Sequence, residues 1–175
     1  MDAPRFDIDE CRNQAEHEFI NALHARAEAG LWFADSWLEP DKIIVTVNIM
    51  DAEANCVLRM LRVDFDGTAL TYGRDETCQL TTFLDPTRPD VVVIADKPPA
   101  GLAEIAADWL EHEMRRPVVR HEWHRPEFSH RIWLFADTGE HLMWSDSANA
   151  NRPGLGVPDK IISVNRVRDS KQVAG

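Results

Sequence analysis

The stretch PPAGLAEIAADWLEHEMRRPVVRHEWHRPEFSHRIWLFADTGEHLMW, from Pro98 to Trp144, decides the predicted fold. Apolar residues recur at spacings of three and four over Pro98–Arg116, which predicts an amphipathic helix. A strand over Val118–His124 and a hairpin over His130–Trp144 follow. Four of the six tryptophans and five of the seven histidines lie in this stretch. It is therefore also the first place to look for a functional site.

A second long helix is predicted near the start of the chain, over Ile8–Ala29. Asp7 is a suitable N-cap residue, and Glu10 stands in the position of a capping box. Gly30 suits the left-handed residue that ends many helices. The segment LWFADSWLEP that follows is interpreted as a hydrophobic plug beneath this helix.

The remaining segments predict strands joined by short turns. One such turn is Asp66-Gly67, a strong hairpin dipeptide that indicates antiparallel pairing. The predicted strands are Ile43–Met50, Cys56–Phe65, Thr68–Tyr72, Thr77–Leu84, a buried Val91–Ala95, and Lys160–Val164 at the end. The predicted fold class is therefore α+β, with a largely antiparallel sheet and two main helices packed on it. We expect a single domain over residues 1–175, with residues 1–6 and 166–175 frayed.

The net charge of -11 is unevenly distributed along the chain. Residues 1–41 carry ten acids and three bases, a net charge of -7. Such a field repels nucleic acid and anionic membranes and attracts a basic partner. The acidic residues of the first helix, the candidates for partner binding, are Glu10, Glu16, Glu18 and Glu28.

Several features favour the cytoplasm as the location. The N-terminal segment is acidic, whereas a secretory signal is basic and then apolar. No apolar run approaches the roughly 18 residues of a membrane span. Cys11, Cys56 and Cys78 are an odd number without CxxC spacing, which fits reduced thiols.

The polar residues that could carry chemistry are His121, Glu122, His124 and His130. In a strand, Glu122 and His124 share one face and could form an acid/base pair, whereas His121 points to the other face. The spacing does not match the His-Glu-x-x-His motif of a helical zinc site, and no cysteine lies nearby. We therefore expect no metal and no cofactor.

Two shorter motifs are explained by turns. Asp137-Thr138-Gly139 matches the signature of aspartic proteases, but that chemistry needs two such loops and the chain has one. Asp64 and Asp66 are spaced like a metal-binding Asp-x-Asp pair, but Asp66 already belongs to the predicted Asp-Gly turn.

Two classes of function remain from the sequence. The first is a non-catalytic acidic module that binds a protein with a basic surface, of the type of an immunity inhibitor or an adaptor by physical analogy. The second is a small enzyme or ligand-binding protein with a pocket between helix 98–116 and the sheet, lined by the His/Glu group. An acidic face with an apolar patch beside it would favour the first, and a pocket lined by those residues would favour the second. A self-associating structural role is a third possibility.

Overall fold

A computed structural model describes residues 6–75, 84–147 and 155–164. The chain divides into two compact units. Unit 1 contains Met1–Ile49 and Met60–Met114, and unit 2 contains Met50–Arg59 and Arg115–Gly175.

Two helices and two antiparallel sheets confirm the predicted α+β class. Helix α1 spans Gln14–Gly30 and helix α2 spans Pro99–Arg115, and a 3-10 turn at Ile8–Glu10 precedes α1. The strands are β1 (Asp35–Glu39), β2 (Lys42–Asp51), β3 (Cys56–Phe65), β4 (Leu70–Asp75), β5 (Val92–Ile94), β6 (Val118–His124), β7 (Ser129–Phe135), β8 (His141–Asp146) and β9 (Lys160–Ser163). They form a five-stranded sheet of order β1-β2-β3-β4-β5 and a four-stranded sheet of order β8-β7-β6-β9, rather than the one sheet that we expected. The single-domain boundary over residues 1–175 stays a prediction.

Both helices belong to unit 1 and pack on its sheet. The ring of Phe19 in α1 stacks on Phe65 of β3, with centroids 4.3 Å apart. Trp109 of α2 lies 4.8 Å from the ring of Tyr72 in β4. Trp109 is half-buried, whereas Leu102 and its neighbours on the inner face of α2 are fully buried.

Helix α1 begins later than predicted. Asn13, not Asp7, is its N-cap residue, and its side chain accepts a hydrogen bond from the Glu16 N–H at 3.0 Å. Asp7 precedes the 3-10 turn and makes no capping bond with its side chain. Asparagine and aspartate are both good N-cap residues, so residue type alone does not distinguish Asn13 from Asp7.

The end of α1 corrects the expected role of Gly30. The helix continues through Gly30, and Leu31 adopts the left-handed conformation, with φ of 55°. The N–H groups of Leu31 and Trp32 donate to the carbonyls of Glu28 and Ala27, the pattern of a Schellman motif. A Cβ on Gly30 would lie 2.6 Å from Cδ1 of Trp32. Glycine therefore fits position 30 because the indole ring of Trp32 packs directly against the backbone there.

Three strand predictions need correction or fall outside the described residues. The segment after Gly30 is not only a plug, because it contains strand β1. Burial alternates from Leu31 to Ser36, over the approach to β1 and its first two residues. Val92 and Val93 of the edge strand β5 are exposed, although we expected that strand to be buried. The strand predicted at Thr77–Leu84 falls almost entirely on residues 76–83, outside the described part.

The predicted hairpin of unit 2 is confirmed. Strands β7 and β8 pair antiparallel across Asp137-Thr138-Gly139-Glu140, and Gly139 has a positive φ of 71°. The Asp137 carboxylate accepts from Arg116 Nε at 3.0 Å. A turn therefore accounts for the Asp-Thr-Gly motif. Most of the predicted frayed residues lie outside the described part, but Phe6 packs 5.1 Å from the ring of His24.

Candidate functional site

The structure separates the four His/Glu candidates into two groups on opposite faces of the four-stranded sheet. Strand register places Glu122 opposite Arg131, His121 opposite Ile132, and Trp123 opposite His130. Glu122 and His124 therefore share one face, and His121 and His130 share the other. The four side chains do not converge on one point.

Glu122 and His124 form a close pair. His124 Nε2 lies 3.1 Å from Glu122 Oε2, and Arg120 Nε donates to Glu122 Oε1 at 2.7 Å. Burial acts to raise the pKa of Glu122, but the contacts with His124 and Arg120 outweigh it and the pKa is lowered. Glu122 is thus held as a carboxylate, which makes it a poor proton donor.

The same Arg120 joins this pair to a buried network that sequence reasoning missed. Arg120 Nη1 donates to Asp51 Oδ2 at 2.6 Å, and Trp133 Nε1 donates to the same oxygen at 2.8 Å. Asp51 is 69 residues from Arg120 and 82 from Trp133 along the chain. No local pattern indicates such a contact. The network satisfies every charge with a partner inside unit 2, as a structural ion cluster does.

On the other face, His130 is a core residue. Its exposed fraction is 2%, its Nδ1 contacts the Asp146 carboxylate, and its ring lies 5.5 Å from that of Trp123. Trp123 separates it from His121, whose ring is 6.0 Å from the indole. This arrangement packs the sheet and leaves no two histidines in direct contact there.

Three of the four predicted acidic residues are on the surface. Glu10, Glu18 and Glu28 are exposed. Glu16 is instead 3% exposed, and its carboxylate binds the Arg12 guanidinium at 2.7 Å. Burial acts to raise the pKa of Glu16, but hydrogen bonds from Arg12 outweigh it and lower the pKa. Glu16 therefore holds the start of α1 and does not belong to an exposed acidic face.

The two units carry opposite net charges. Unit 1 contains 21 acids and 8 bases, a net charge of -13, whereas unit 2 contains 9 acids and 11 bases, a net charge of +2. The sequence shows only the part of this asymmetry that lies in residues 1–41, because unit 1 is assembled from two separate segments.

Most of the described bases of unit 1 form ion pairs inside the unit. Six of them lie within 4 Å of an acid of the same unit: Arg12, Arg26, Lys42, Arg62, Arg74 and Arg88. Exposed acids, by contrast, cover much of its surface: Asp9, Glu10, Glu18, Glu28, Asp35, Asp41, Asp66 and Asp96. The outward field of unit 1 is therefore negative.

A small cavity of about 180 Å³ lies on unit 1, and we call it the acidic pocket. Its walls contain three carboxylates and one ammonium group, together with smaller side chains: Asp41, Lys42, Asp64, Asp66, Ala69, Thr71 and Leu84. Lys42 Nζ is 3.0 Å from Asp64, which also binds Arg62. Asp41 and Asp66 are exposed at the rim.

Asp66 is fixed in place by its turn. Its carboxylate accepts from the N–H groups of Ala69 and Thr68, at 2.7 and 2.8 Å. Burial acts to raise its pKa, but these bonds outweigh it and lower the pKa. The rim of the pocket therefore carries a fixed negative charge.

The described residues contain neither a metal-binding cluster nor a membrane-spanning helix. No group of three or more His, Cys, Asp or Glu side chains among them is arranged to hold a metal ion. None of the described helices is long and apolar enough to cross a membrane.

Comparisons of the chain with protein-family models, with curated proteins and with solved structures gave no match.

Proposed function

We propose that this protein is a non-catalytic acidic module that binds a protein with a basic surface. The observation that carries the proposal is the net charge of -13 on unit 1. Its described bases are largely consumed by internal ion pairs, so the acids dominate the exposed surface. Complementary charge steers association and discriminates between partners.

The acidic pocket supports the same proposal. Sites for small molecules usually have volumes of roughly 300–1,000 Å³, and this pocket is smaller. Asp64 is already paired with Lys42 and Arg62. The exposed carboxylates of Asp41 and Asp66 remain at the rim, and they suit the end of one lysine or arginine side chain from a partner. The field of unit 1 also disfavours nucleic acid and anionic membranes. We place this role in the cytoplasm, as an inhibitor or adaptor of another protein.

The second candidate function, an enzyme, has one observation in its favour: the 3.1 Å contact between Glu122 and His124. The hydrogen bond with His124, and then the charge and hydrogen bond of Arg120, keep the pKa of Glu122 low. His121 and His130 lie on the opposite face of the sheet. Glu122 is therefore a poor general acid, and the four polar candidates do not meet in one site. The binding module is therefore the better-supported function.

The test is affinity capture, in which the full chain is immobilised and binds proteins from a lysate of its native host. Capture is measured at about 50 mM and about 500 mM salt. We expect the captured protein to be basic and its recovery to fall at high salt. The variant Glu10→Lys/Glu18→Lys/Glu28→Lys should capture less at low salt, with an unchanged melting temperature, because all three residues are exposed.

The matched control is Glu127→Lys, compared with Glu10→Lys, Glu18→Lys and Glu28→Lys as single variants, because Glu127 is exposed and lies in unit 2. It changes the net charge by the same amount and should leave capture intact. The proposal would be contradicted if the captured partner were acidic. It would also be contradicted if the amount captured were the same at both salt concentrations and for the triple variant.

A further inference from the structure

An apolar strip lies on unit 1 where α1 passes into β1. We define it by the side chains of Leu31 and Phe33, which are 76% and 45% exposed. Trp32 and Ala34, which alternate with them, are buried. The exposed acids Glu28 and Asp35 flank the strip at its two ends.

The fold does not account for leucine at position 31. Its side chain is largely in water, so it contributes little apolar burial. Its backbone has φ of 55°, a conformation that favours glycine or asparagine over leucine. A residue that is both exposed and in an unfavourable conformation points to a role outside folding.

The surroundings of the strip indicate what covers it. Glu28 lies one helical turn before Leu31, whose N–H donates to the Glu28 carbonyl at 3.3 Å. Asp35 follows Phe33 on the outward side of the extended chain, since burial alternates through this segment. The exposed carboxylate of Glu28 is 3.6 Å from His24 Nε2 in the preceding turn. An apolar centre with an exposed acidic residue on either side of it along the chain complements an apolar side chain with lysine or arginine beside it.

We propose that the apolar strip is the docking point for an apolar side chain of a basic protein segment, with the segment's Lys or Arg residues facing Glu28 and Asp35. This inference rests on the proposed function and locates the binding of the basic partner at a specific place on unit 1. The strip supplies the anchor, and the surrounding negative field supplies steering and specificity.

The test uses the full-length protein and a displayed library of random peptides of about twelve residues, the length of a typical linear recognition segment. Selected peptides should combine Leu, Phe, Trp or Met with several Lys or Arg. The variant Leu31→Gly/Phe33→Ser should weaken their binding by about tenfold or more, the size of effect seen for interface anchors. Leu31→Gly alone should keep or raise the melting temperature, because glycine accepts the left-handed conformation.

Val93→Ser is the matched control. Val93 is also an exposed apolar residue of unit 1, 53% exposed, on β5 at the opposite edge of the five-stranded sheet. It should leave the Kd of the peptides unchanged. If the double variant is less stable, Leu31→Asn provides a second test, because asparagine also tolerates a positive φ.

The outcomes separate this inference from the proposed function. Basic peptides that bind the double variant as tightly as the parent would overturn the docking strip and leave the proposed function standing. Selected peptides without Lys or Arg would contradict both. The absence of selected peptides would overturn the docking strip alone. Sedimentation of the parent as a dimer that Leu31→Gly/Phe33→Ser converts to a monomer would make the occupant a second copy, which overturns the basic partner.

Discussion

At the scale of single residues, the packing of Trp32 determines the roles of its neighbours Gly30 and Leu31. Glycine near the end of a helical pattern usually marks the left-handed residue. Here Trp32 lies across the helix end, and its Nε1 donates to Glu111 Oε1 at 3.3 Å. Gly30 allows the indole ring of Trp32 to lie close to the helix backbone, and Leu31 adopts the left-handed conformation instead.

Substitution of Gly30 by alanine should therefore destabilise unit 1. The new Cβ would lie 2.6 Å from Trp32 Cδ1, so the indole must move, at a cost of about 1–3 kcal/mol for overpacking. Gly101→Ala in α2 is the control, since its Cβ would meet only Pro98 at 3.5 Å, an ordinary contact. Alanine should stabilise that helix by up to about 1 kcal/mol. Urea unfolding of the two variants should give shifts of opposite sign, and equal shifts would contradict this account.

Trp133 is predicted to stabilise the folded protein through its hydrogen bond as well as through the burial of its large side chain. Trp133→Phe removes the donor to the buried Asp51 carboxylate and should cost about 1–3 kcal/mol or more. Trp144→Phe is the comparison, because Trp144 is 52% exposed, and it should change stability by about 0.5 kcal/mol at most. Thermal unfolding distinguishes them. Similar melting temperatures for both variants would show that the Asp51 bond contributes little.

At the scale of elements, the start of α1 offers a test between two capping residues. Asn13→Ala removes the side-chain acceptor for the Glu16 N–H and should cost about 1 kcal/mol. Asp7→Ala removes the residue that the sequence favoured, yet its side chain makes no capping bond. It should be nearly neutral in a urea titration. A larger loss for Asp7→Ala than for Asn13→Ala would place the functional cap at Asp7.

Strong local patterns explain which elements were predictable. Apolar residues at spacings of three and four predicted both ends of α2 to within one residue. The turns at Asp66-Gly67 and Asp137–Glu140 predicted the hairpins that contain them. Strand β1 was overlooked because its large apolar residues resemble a plug and because burial does not alternate regularly along it. The division into two sheets was not predictable, since strand pairing between distant segments leaves no local pattern.

The same distinction holds for the functional residues. Exposed acids on α1 were predictable from the helical wheel, apart from Glu16, whose burial depends on Arg12. The acidic pocket joins Asp41 to Asp64 and Asp66, which are far apart in sequence. The apolar strip was within a segment noted for its aromatic residues. Its exposure, however, follows from the Trp32 packing that only the structure shows.

At the scale of the whole molecule, the buried carboxylates predict loss of stability in acid. Glu16, Asp51 and Glu122 all have lowered pKa values in the folded protein, because their Arg, Trp, His or backbone partners outweigh burial. A carboxylate with a lowered folded pKa stabilises the protein above its unfolded pKa, and this stability is lost as the pH falls through the folded pKa. Relief of repulsion among surface acids acts in the opposite direction but is screened by solvent.

We therefore expect the urea midpoint to be constant near neutral pH and to fall below about pH 4.5, the ordinary value for glutamate. The measurement is urea unfolding at about pH 7, 5, 4 and 3. Glu122→Gln should be less stable at neutral pH and should show a smaller loss in acid. A midpoint that rises on acidification would mean that surface repulsion dominates.

The passage of the chain through unit 2 in two separate segments limits how the protein can be cut. A fragment that begins at Arg115 would lack Asp51, the carboxylate that pairs with buried Arg120 and accepts from Trp133. A fragment that ends at Met114 would keep Asp51 but lose both of its partners. Truncation at this point therefore separates the two partners of a buried ion pair. Two-hybrid baits and expression fragments should retain the full chain, or should join residues 50–59 to the C-terminal segment through a designed linker.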